Sequence, residues 1–275
     1  MTIDSHQHFW YYDSTKHDWI DDNMAMIRRD FLPDDLKKVY QENGIHGCLA
    51  IQADQTLSET NFLLDLAKAH DFIKGVVGWV DLRGPSVEKE LEKYHEDPYL
   101  KGWRHVVQGE ADHNFLLRPN FGRGISFLEK YGYTYDILVF PYQLGAVLEF
   151  VKKFPNQKFV IDHLAKPYIK DGHFEGWSVL MREIAKHENV YCKMSGMVTE
   201  ADYVKWTAEQ INPYLEHVLE AFGSNRIMYG SDWPVCLVAG TYQQVKQLVT
   251  DAIADLTTSE QENIMGNNAL AFYNL

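Results

Sequence analysis

The stretch Asp4-Ser5-His6-Gln7-His8-Phe9-Trp10 carries two histidines one residue apart, directly after a short apolar lead-in at the start of the chain. Residues two positions apart in a β-strand point to the same side, so a strand here would turn both imidazoles toward one space. A His-x-His pair alone is equally compatible with one core histidine and one surface histidine. The organisation of the rest of the chain decides between the two interpretations.

Outward from this stretch, short β-type runs alternate with longer helical runs. Eight strands are predicted, over residues 2–9, 47–53, 74–82, 100–108, 135–140, 158–164, 190–195 and 226–230. Helical patterns follow them at 33–43, at 58–70, after Ser86 as the N-cap, at 121–131, from Pro141, at 177–187, at 201–222, and at 242–255 with 259–273. This order predicts an α/β fold, a (β/α)8 TIM barrel, and the absence of a linker predicts one domain over residues 1–275.

A doubly wound open sheet is the alternative fold for such a pattern. That fold would more often carry a glycine-rich phosphate loop after its first strand. Here the position is taken by His6-Gln7-His8. The barrel is therefore the favoured architecture.

Bulk composition excludes several classes of protein. The 275 residues hold Lys+Arg 26 and Asp+Glu 39, a net charge of −13 with no basic run, which argues against a nucleic-acid partner. Cys48, Cys192 and Cys236 lie far apart without a CxxC motif, which predicts no disulfide and fits a reducing cytoplasm. Neither a signal peptide nor an apolar run of about 20 residues occurs. We expect a soluble cytoplasmic protein with no membrane partner, and a homo-oligomer is compatible with the sequence.

Polar side chains recur at the ends of successive predicted strands, where a TIM barrel places its catalytic groups. The ring comprises His6, His8, Gln52, Asp54, Asp81, Arg104, Gln108, Asp162, His163, Lys193, Ser195, Ser231 and Asp232. Three of these imidazoles and one carboxylate, from His6, His8, His163 and Asp232, suit a single Zn²⁺ with an open position for water. Without a metal, Asp232 would take a proton from water, while the histidines and Arg104 would stabilise an oxyanion. Both alternatives predict hydrolysis.

Six motifs, in order along nearly the whole chain, resemble the amidohydrolase superfamily, and within it the sugar-lactone hydrolases that include L-fuconolactonase-like and L-rhamnonolactonase-like enzymes. They are DSHQHFW at 4–10, GWVDL at 78–82, KGWRHVVQ at 101–108, IDHLAKP at 161–167, KMSG at 193–196 and YGSDWP at 229–234. The resemblance implies a (β/α)8 barrel that hydrolyses a lactone to a hydroxy acid. It also implies Asp232 as general base, His6, His8 and His163 as metal or carbonyl contacts, and Arg104 as a substrate contact.

Two departures from the superfamily pattern bear on the metal. Members with two metals carry a bridging Lys or Glu on strand four and a histidine on strand five. Here strand four offers Arg104, and the stretch 135–140 contains no histidine. We therefore expect no binuclear site, one Zn²⁺ at most, which is dispensable in some members of this branch, and no organic cofactor.

Other candidates are assigned with their alternatives. Because neighbours alternate along a strand, Arg104 should face the interior and His105 should pack outward. Gln108 and Lys193 are candidate substrate contacts, as are Trp10 and Trp233, whose rings would stack on a sugar. Ordinary packing is at least as good an explanation for Trp19. Lys166 could bind substrate, although a solvated loop lysine is the default interpretation. Asp162 is an outward or supporting carboxylate, and Ser195 is an undecided neighbour of Lys193.

The resulting functional prediction is a hydrolase that opens a sugar lactone, an aldonolactone such as L-fucono- or L-rhamnono-lactone. Asp232, His163 and Arg104 are its predicted catalytic residues. The alternatives are a decarboxylase or an amide hydrolase on a related barrel, and a catalytically silent barrel that binds a metabolite.

Overall fold

One sheet contains all the strands of the computed structural model, which describes residues 1–275. Its eight parallel strands are β1 (Ile3–Gln7), β2 (Gly47–Ile51), β3 (Ile73–Gly78), β4 (Leu100–His105), β5 (Thr134–Ile137), β6 (Phe159–Ile161), β7 (Val190–Met194) and β8 (Ile227–Tyr229). Each strand pairs with the next in chain order. The helices between them are α1 (Pro33–Asn43), α2 (Leu57–Ala69), α3 (Val87–Tyr94), α4 (Pro119–Tyr131), α5 (Leu144–Lys153), α6 (Glu175–Ala185), α7 (Ala208–Phe222) and α8 (Tyr242–Ala252).

The last segment of the chain is also helical. Helices α9 (Thr258–Glu262) and α10 (Asn268–Tyr273) flank a π-helical turn at Asn263–Asn267. None of the helices combines the length and the apolar composition that crossing a membrane requires. All three cysteines are free and buried.

Backbone hydrogen bonds join the end of β8 to β1 and bring the two edges of the sheet together. The His8 amide donates to the Trp233 carbonyl at 2.7 Å, and the Asp232 amide donates to the His6 carbonyl at 2.8 Å. The Ser5 hydroxyl adds a bond to the Tyr229 carbonyl at 2.7 Å. A doubly wound sheet has no such closure, so the predicted (β/α)8 barrel is confirmed.

Two apolar cores flank the sheet. The larger core fills the space between strands and helices, and the smaller one lies inside the barrel. The inner core combines strand residues such as Ile3, Leu49 and Met228 with Phe272 and Tyr273 of α10. The C-terminal helix therefore packs into the interior of the barrel, and the polar site lies further along the strands.

A register shift in β1 decides which of its side chains face the interior. Asp4 pairs with Cys48 while Gln7 pairs with Ala50, so β1 holds one extra residue between these points. Ile3 joins the inner core, whereas the Asp4 carboxylate accepts bonds from Tyr40 of α1 and Tyr242 of α8. Because of the bulge, His6 faces the interior again.

The structure differs from several boundaries predicted from sequence, including those of β6 and α7. Strand β6 ends at Ile161 rather than at Leu164, because residues from His163 to Lys166 have left-handed φ angles of 50–56°. Helix α7 begins at Ala208 rather than at 201, where Thr207 and Gln210 form a capping box. Ser86 precedes α3, but its side chain makes no capping bond.

Candidate active site

Four side chains converge where β1, β6 and β8 end, and we call them the histidine site: His6, His8, His163 and Asp232. The Nε2 atoms of His6, His8 and His163 lie 3.9, 3.4 and 3.8 Å from Asp232 Oδ1. All four residues are 5% exposed or less. The sequence-based expectation that these residues meet at one mouth of the barrel matches this geometry.

Each imidazole is oriented by a second contact. His8 Nδ1 lies 2.8 Å from the Ile51 carbonyl, which only accepts, so Nδ1 donates to it and Nε2 faces Asp232. His163 Nδ1 lies 2.8 Å from Ser195 Oγ. Arg104 donates to His6 Nε2 at 3.3 Å, which makes this nitrogen an acceptor.

Left-handed backbone places two members of the site. His163 has φ 55° and Asp232 has φ 57°, conformations that non-glycine residues seldom adopt and that cluster at functional sites. Gly196, with φ 63°, leaves room for the His163 ring, because a Cβ there would lie 2.6 Å from its Nδ1. Glycine is therefore required at position 196, both for its positive φ angle and for the space that the His163 ring occupies.

Asp4 anchors the segment that carries Asp232. Its carboxylate accepts from the Ser231 amide at 2.9 Å and from the Ser231 hydroxyl at 2.6 Å. Burial raises the pKa of Asp4, although these hydrogen bonds oppose the rise. The first motif of the chain thus contributes two of the three histidines of the site and a support for its carboxylate.

A second charged cluster lies beside the histidine site inside the barrel, and we call it the ionic layer: Arg104, Asp136, Asp162 and Lys193. Lys193 Nζ lies 2.5 Å from Asp136 and 3.1 Å from Asp162. Arg104 Nη1 lies 3.1 Å from Asp162, and its Nε donates to Gln52 Oε1 at 2.9 Å. The charges in this layer are therefore paired within the protein.

His6 connects the two clusters. Its Nδ1 lies 3.3 Å from Asp162 Oδ1, while its Nε2 faces Asp232. Lys193 Nζ lies 3.2 Å from the same Nδ1, and Arg104 Nη1 lies 3.3 Å from Nε2. Contacts on both ring nitrogens therefore fix the orientation of the ring.

Burial sets the charge states of the site. It lowers the pKa of His6 and His163 well below the ordinary value, against the opposing effect of nearby carboxylates. Burial alone would raise the pKa of Asp232, but His163, His8 and Lys166 together hold it below its ordinary value. Asp232 is therefore a carboxylate at neutral pH, flanked by two neutral imidazoles.

The donor set fits one divalent metal ion. A tetrahedral zinc site with bonds of about 2.0–2.2 Å holds its ligand atoms roughly 3.3–3.6 Å apart. The spacings of 3.4–3.9 Å around Asp232 Oδ1 approach this value, and His6, His8 and Asp232 form a candidate metal-binding group. Because β5 offers no histidine and Lys193 lies between Asp136 and Asp162, the neighbouring space holds the protein's own cation.

A cavity of about 620 Å³ opens onto the histidine site. His8, His163, Asp232 and Arg104 form part of its lining, and Gln108 lines it as well. Gln108 Oε1 is buried and has no hydrogen-bond partner in the protein. The cavity is thus a pocket with polar and ionisable groups in its wall.

Three predicted substrate contacts do not line this cavity. Lys193 is fully buried in the ionic layer, where its ammonium is committed to carboxylates. Trp233 packs against Phe9 and Phe31, and Trp10 donates from Nε1 to the Arg29 carbonyl at 2.8 Å. Their rings are each 2% exposed, so neither is open to a sugar in this cavity.

Other assignments are resolved by the structure. His105 packs outward as predicted, stacked on Phe115 and 2.7 Å from Glu110. Asp162 supports His6 rather than facing outward. Ser195 is buried against His163.

The sequence missed part of the cavity wall. Trp19 lines it with 39% exposure, and Lys166 is not a solvated loop lysine, because it lines the cavity in an ion pair with Glu200. Tyr203 lies in the same wall. The position of Lys166 three residues after His163 was a signal for it, whereas Glu200 and Tyr203 lie in a loop without any motif.

Known proteins are similar to this chain over nearly its full length. A family model described as amidohydrolase matches residues 3–275. An L-fucono-1,5-lactonase of Burkholderia multivorans is 38% identical over 286 residues, covering 100% of this chain and 96% of the relative. An L-fucono-1,5-lactonase of Burkholderia ambifaria is 34% identical, covering 99% and 95%. The crystal structure of a Burkholderia multivorans amidohydrolase with bound zinc superposes with a TM-score of 0.97 at 38% identity, covering 100% and 99%.

Proposed function

The chain belongs to the amidohydrolase family, and on that premise we propose that it hydrolyses a sugar lactone, an aldonolactone such as L-fucono-1,5-lactone, to the sugar acid. The observation that carries the proposal is the histidine site, in which three imidazoles surround one ionised carboxylate at the floor of a polar cavity. The two full-length lactonase relatives support the choice of substrate class.

Asp232 acts as the general base. Its lowered pKa keeps it ionised at neutral pH, so it accepts a proton from the attacking water as the water oxygen bonds to the lactone carbonyl carbon. The protonated carboxyl then returns this proton to the ring oxygen as the carbon–oxygen bond breaks. The sum is one lactone and one water converted to one hydroxy acid.

His163 and Arg104 stabilise the negative charge that develops on the carbonyl oxygen. Both line the cavity beside Asp232, and the guanidinium of Arg104 is held by Gln52 and Asp162. A donor fixed in this way needs little rearrangement as the charge develops. Gln108, with its unpartnered Oε1, accepts a hydrogen bond from a substrate hydroxyl.

One Zn²⁺ would be held by His6, His8 and Asp232, which form a candidate metal-binding group, with His163 Nε2 3.8 Å from the same carboxylate oxygen. Such an ion would polarise the lactone carbonyl and lower the pKa of water. The zinc in the related Burkholderia multivorans structure supports this assignment. A single ion is proposed, since Lys193 and Arg104 occupy the adjoining layer.

A panel of lactones tests the proposal. Purified protein of known metal content is incubated with L-fucono-1,5-lactone, an L-rhamnonolactone, an amide and a hydroxybenzoate, and acid release is followed with a pH indicator, with and without chelator. We expect hydrolysis of an aldonolactone and no reaction of the amide or the hydroxybenzoate. Binding of lactones without any acid release would instead support a silent binding barrel.

A further inference from the structure

An ion pair in the cavity wall has no substrate-binding role in the function proposed above. Lys166 Nζ contacts Glu200 Oε1, and the two side chains are only 15% and 12% exposed. Lys166 ends the left-handed turn that begins at His163, and Glu200 lies between β7 and α7. Removing two charges from water costs several kcal/mol per ion, so an ion pair this buried contributes little to the free energy of unfolding. Its position in the cavity wall suggests a ligand-binding role instead.

Both partners retain unused hydrogen-bonding capacity. An ammonium donates three hydrogen bonds, and a carboxylate accepts about four. Within the protein, the Lys166 ammonium has one carboxylate partner, Glu200, and the Glu200 carboxylate has no other partner. The Lys166 ammonium also lies 5.8 Å above the Phe140 ring, which lines the same cavity. A donor and an acceptor therefore stand side by side and open to the cavity.

We propose that Lys166 and Glu200 together bind two neighbouring hydroxyl groups of the substrate and so select a polyhydroxylated lactone over an unsubstituted one. A hydroxyl group both donates and accepts, so one hydroxyl oxygen accepts from the ammonium while its neighbour donates to the carboxylate. The inference rests on the proposed lactonase function and specifies the substrate class within it. Discrimination is strong in such a site, because an analogue without hydroxyls displaces water from the pair and leaves its remaining hydrogen-bonding positions without partners.

Lys166 also affects the general base, so the two partners are not equivalent for a test. Its positive charge contributes to the lowered pKa of Asp232, and its amide donates to the His163 carbonyl at 2.7 Å. Glu200 has no direct contact with the histidine site. Glu200→Gln is therefore the primary variant, since it keeps the shape of the side chain, and Lys166→Met is the second.

The experiment compares kcat and KM for two probes, L-fucono-1,5-lactone and unsubstituted δ-valerolactone. For Glu200→Gln we expect kcat/KM for the hydroxylated lactone to fall about 10- to 100-fold, mainly through KM. The value for δ-valerolactone should change less than about threefold, because this probe has no hydroxyl group for the pair to bind. The inhibition constant of the open-chain L-fuconate should rise by the same factor as KM, which gives a readout independent of δ-valerolactone turnover.

A second ion pair on the same two loops provides the matched control. Lys170 lies 3.3 Å from Asp202, with side chains 62% and 39% exposed, and neither residue lines the cavity. Lys170→Met removes a link between the loops without touching the proposed contact, so it should leave the preference between the two lactones unchanged. A loss in Lys170→Met equal to that in Glu200→Gln would show that the pair only tethers the loops.

Two results separate the failure of this inference from failure of the proposed function. If wild type hydrolyses lactones and Glu200→Gln loses the same factor on both probes, or loses nothing, the inference is overturned while the lactonase stands. If the wild type hydrolyses neither probe and L-fuconate does not bind, both are overturned.

Discussion

The histidine site and the ionic layer are neighbours inside one barrel, equally buried, and chemically opposite. In the ionic layer, every charge meets an opposite charge, as when Lys193 lies 2.5 Å from Asp136 and 3.1 Å from Asp162. In the histidine site, imidazole nitrogens surround one carboxylate oxygen, and Nε2 of His8 lies 3.4 Å from it. Imidazoles can take up or release a proton and can bind a cation, which the fixed charges of the ionic layer do not do.

The difference shows how to tell a structural cluster from a functional one. A satisfied network needs nothing from outside, so its removal should alter the free energy of unfolding. A set of converging acceptors at a cavity is complete only with water, a substrate or a metal ion, so its removal should alter chemistry. His6, with one nitrogen on Asp162 and the other facing Asp232, couples the two.

The largest expected effect comes from Asp232→Asn. The amide cannot accept the water proton, so we expect kcat/KM for an aldonolactone to fall by about 10³-fold or more, with the melting temperature nearly unchanged. Initial rates with a pH indicator and circular dichroism measure the two quantities. Asp81→Asn is the control, because Asp81 also follows a strand but pairs with Arg83 away from the cavity. An active Asp232→Asn enzyme would refute the assignment of the base.

Breaking the ionic layer should instead destabilise the fold. Lys193→Met leaves Asp136 and Asp162 without their shared ammonium in a fully buried position, and breaking such a pair costs about 3–5 kcal/mol. The free energy of unfolding, from denaturant titration, checks this expectation. Lys130→Met, which breaks the exposed pair with Glu88, should leave stability unchanged. Equal free energies of unfolding for Lys193→Met and wild type would show that the ionic layer does not stabilise the fold.

The sequence predicted the histidine site because its rule is positional. Polar residues at the ends of parallel strands meet at one mouth of a barrel. The sequence alone therefore indicates that His6, His8, His163 and Asp232 lie together. The same rule gave the order of strands and helices, since periodicity of apolar residues is local. The predicted boundaries of α1 agree with the structure, because Pro33 at its start and Gly44 just after its end are local signals.

The ionic layer and the cavity wall depend on geometry that sequence patterns do not encode. Strand alternation correctly predicts that the Lys193 side chain points into the barrel. Only the positions of β5 and β6 in the structure reveal that carboxylates on these strands neutralise its charge. Trp10 and Trp233 lie in the expected loops, yet tertiary packing turns their rings into the core. Glu200 reaches the cavity through the folding of a loop whose shape is set by long-range contacts, and no local signal marks it.

A smaller effect is expected at His6, which Arg104 of the ionic layer contacts and which a zinc ion in the histidine site would also contact. Arg104 donates to His6 Nε2, the same lone pair that a zinc ion at the histidine site would use. Loss of one hydrogen bond of about 1–1.5 kcal/mol corresponds to roughly tenfold, so Arg104→Met should bind Zn²⁺ about tenfold more tightly than wild type, although its lactonase activity falls. Competition with a chromophoric chelator measures the affinity directly.

The control for this prediction is Arg118→Met, which removes a guanidinium that pairs with Asp112 outside the site. Its zinc affinity should equal that of wild type. Unchanged or weaker zinc binding by Arg104→Met would show that the guanidinium supports the metal site instead of competing with it.

The smallest effect concerns the pH dependence of the ionic layer. Burial raises the pKa of Asp136 to about 6, even though Lys193 opposes the rise. Loss of the ammonium in Lys193→Met raises this pKa further. A carboxyl group with a pKa raised by folding binds its proton more tightly in the folded state, so its contribution favours folding at low pH and is lost as pH rises through the folded pKa. The destabilisation of Lys193→Met should therefore be smaller at pH 5 than at pH 8, by about 1 kcal/mol.

Denaturant titrations at pH 5, 6, 7 and 8 measure this difference against wild type. The double variant Lys193→Met/Asp136→Asn isolates the cause, because an amide does not titrate, and its stability relative to wild type should lack the extra fall between pH 6 and 8. Asp162 keeps Arg104 and His6 as partners in both variants and stays ionised. If the single variant showed the same pH dependence as the double, the titrating group would be another carboxylate, and the pairing of Lys193 with Asp136 would not govern the layer.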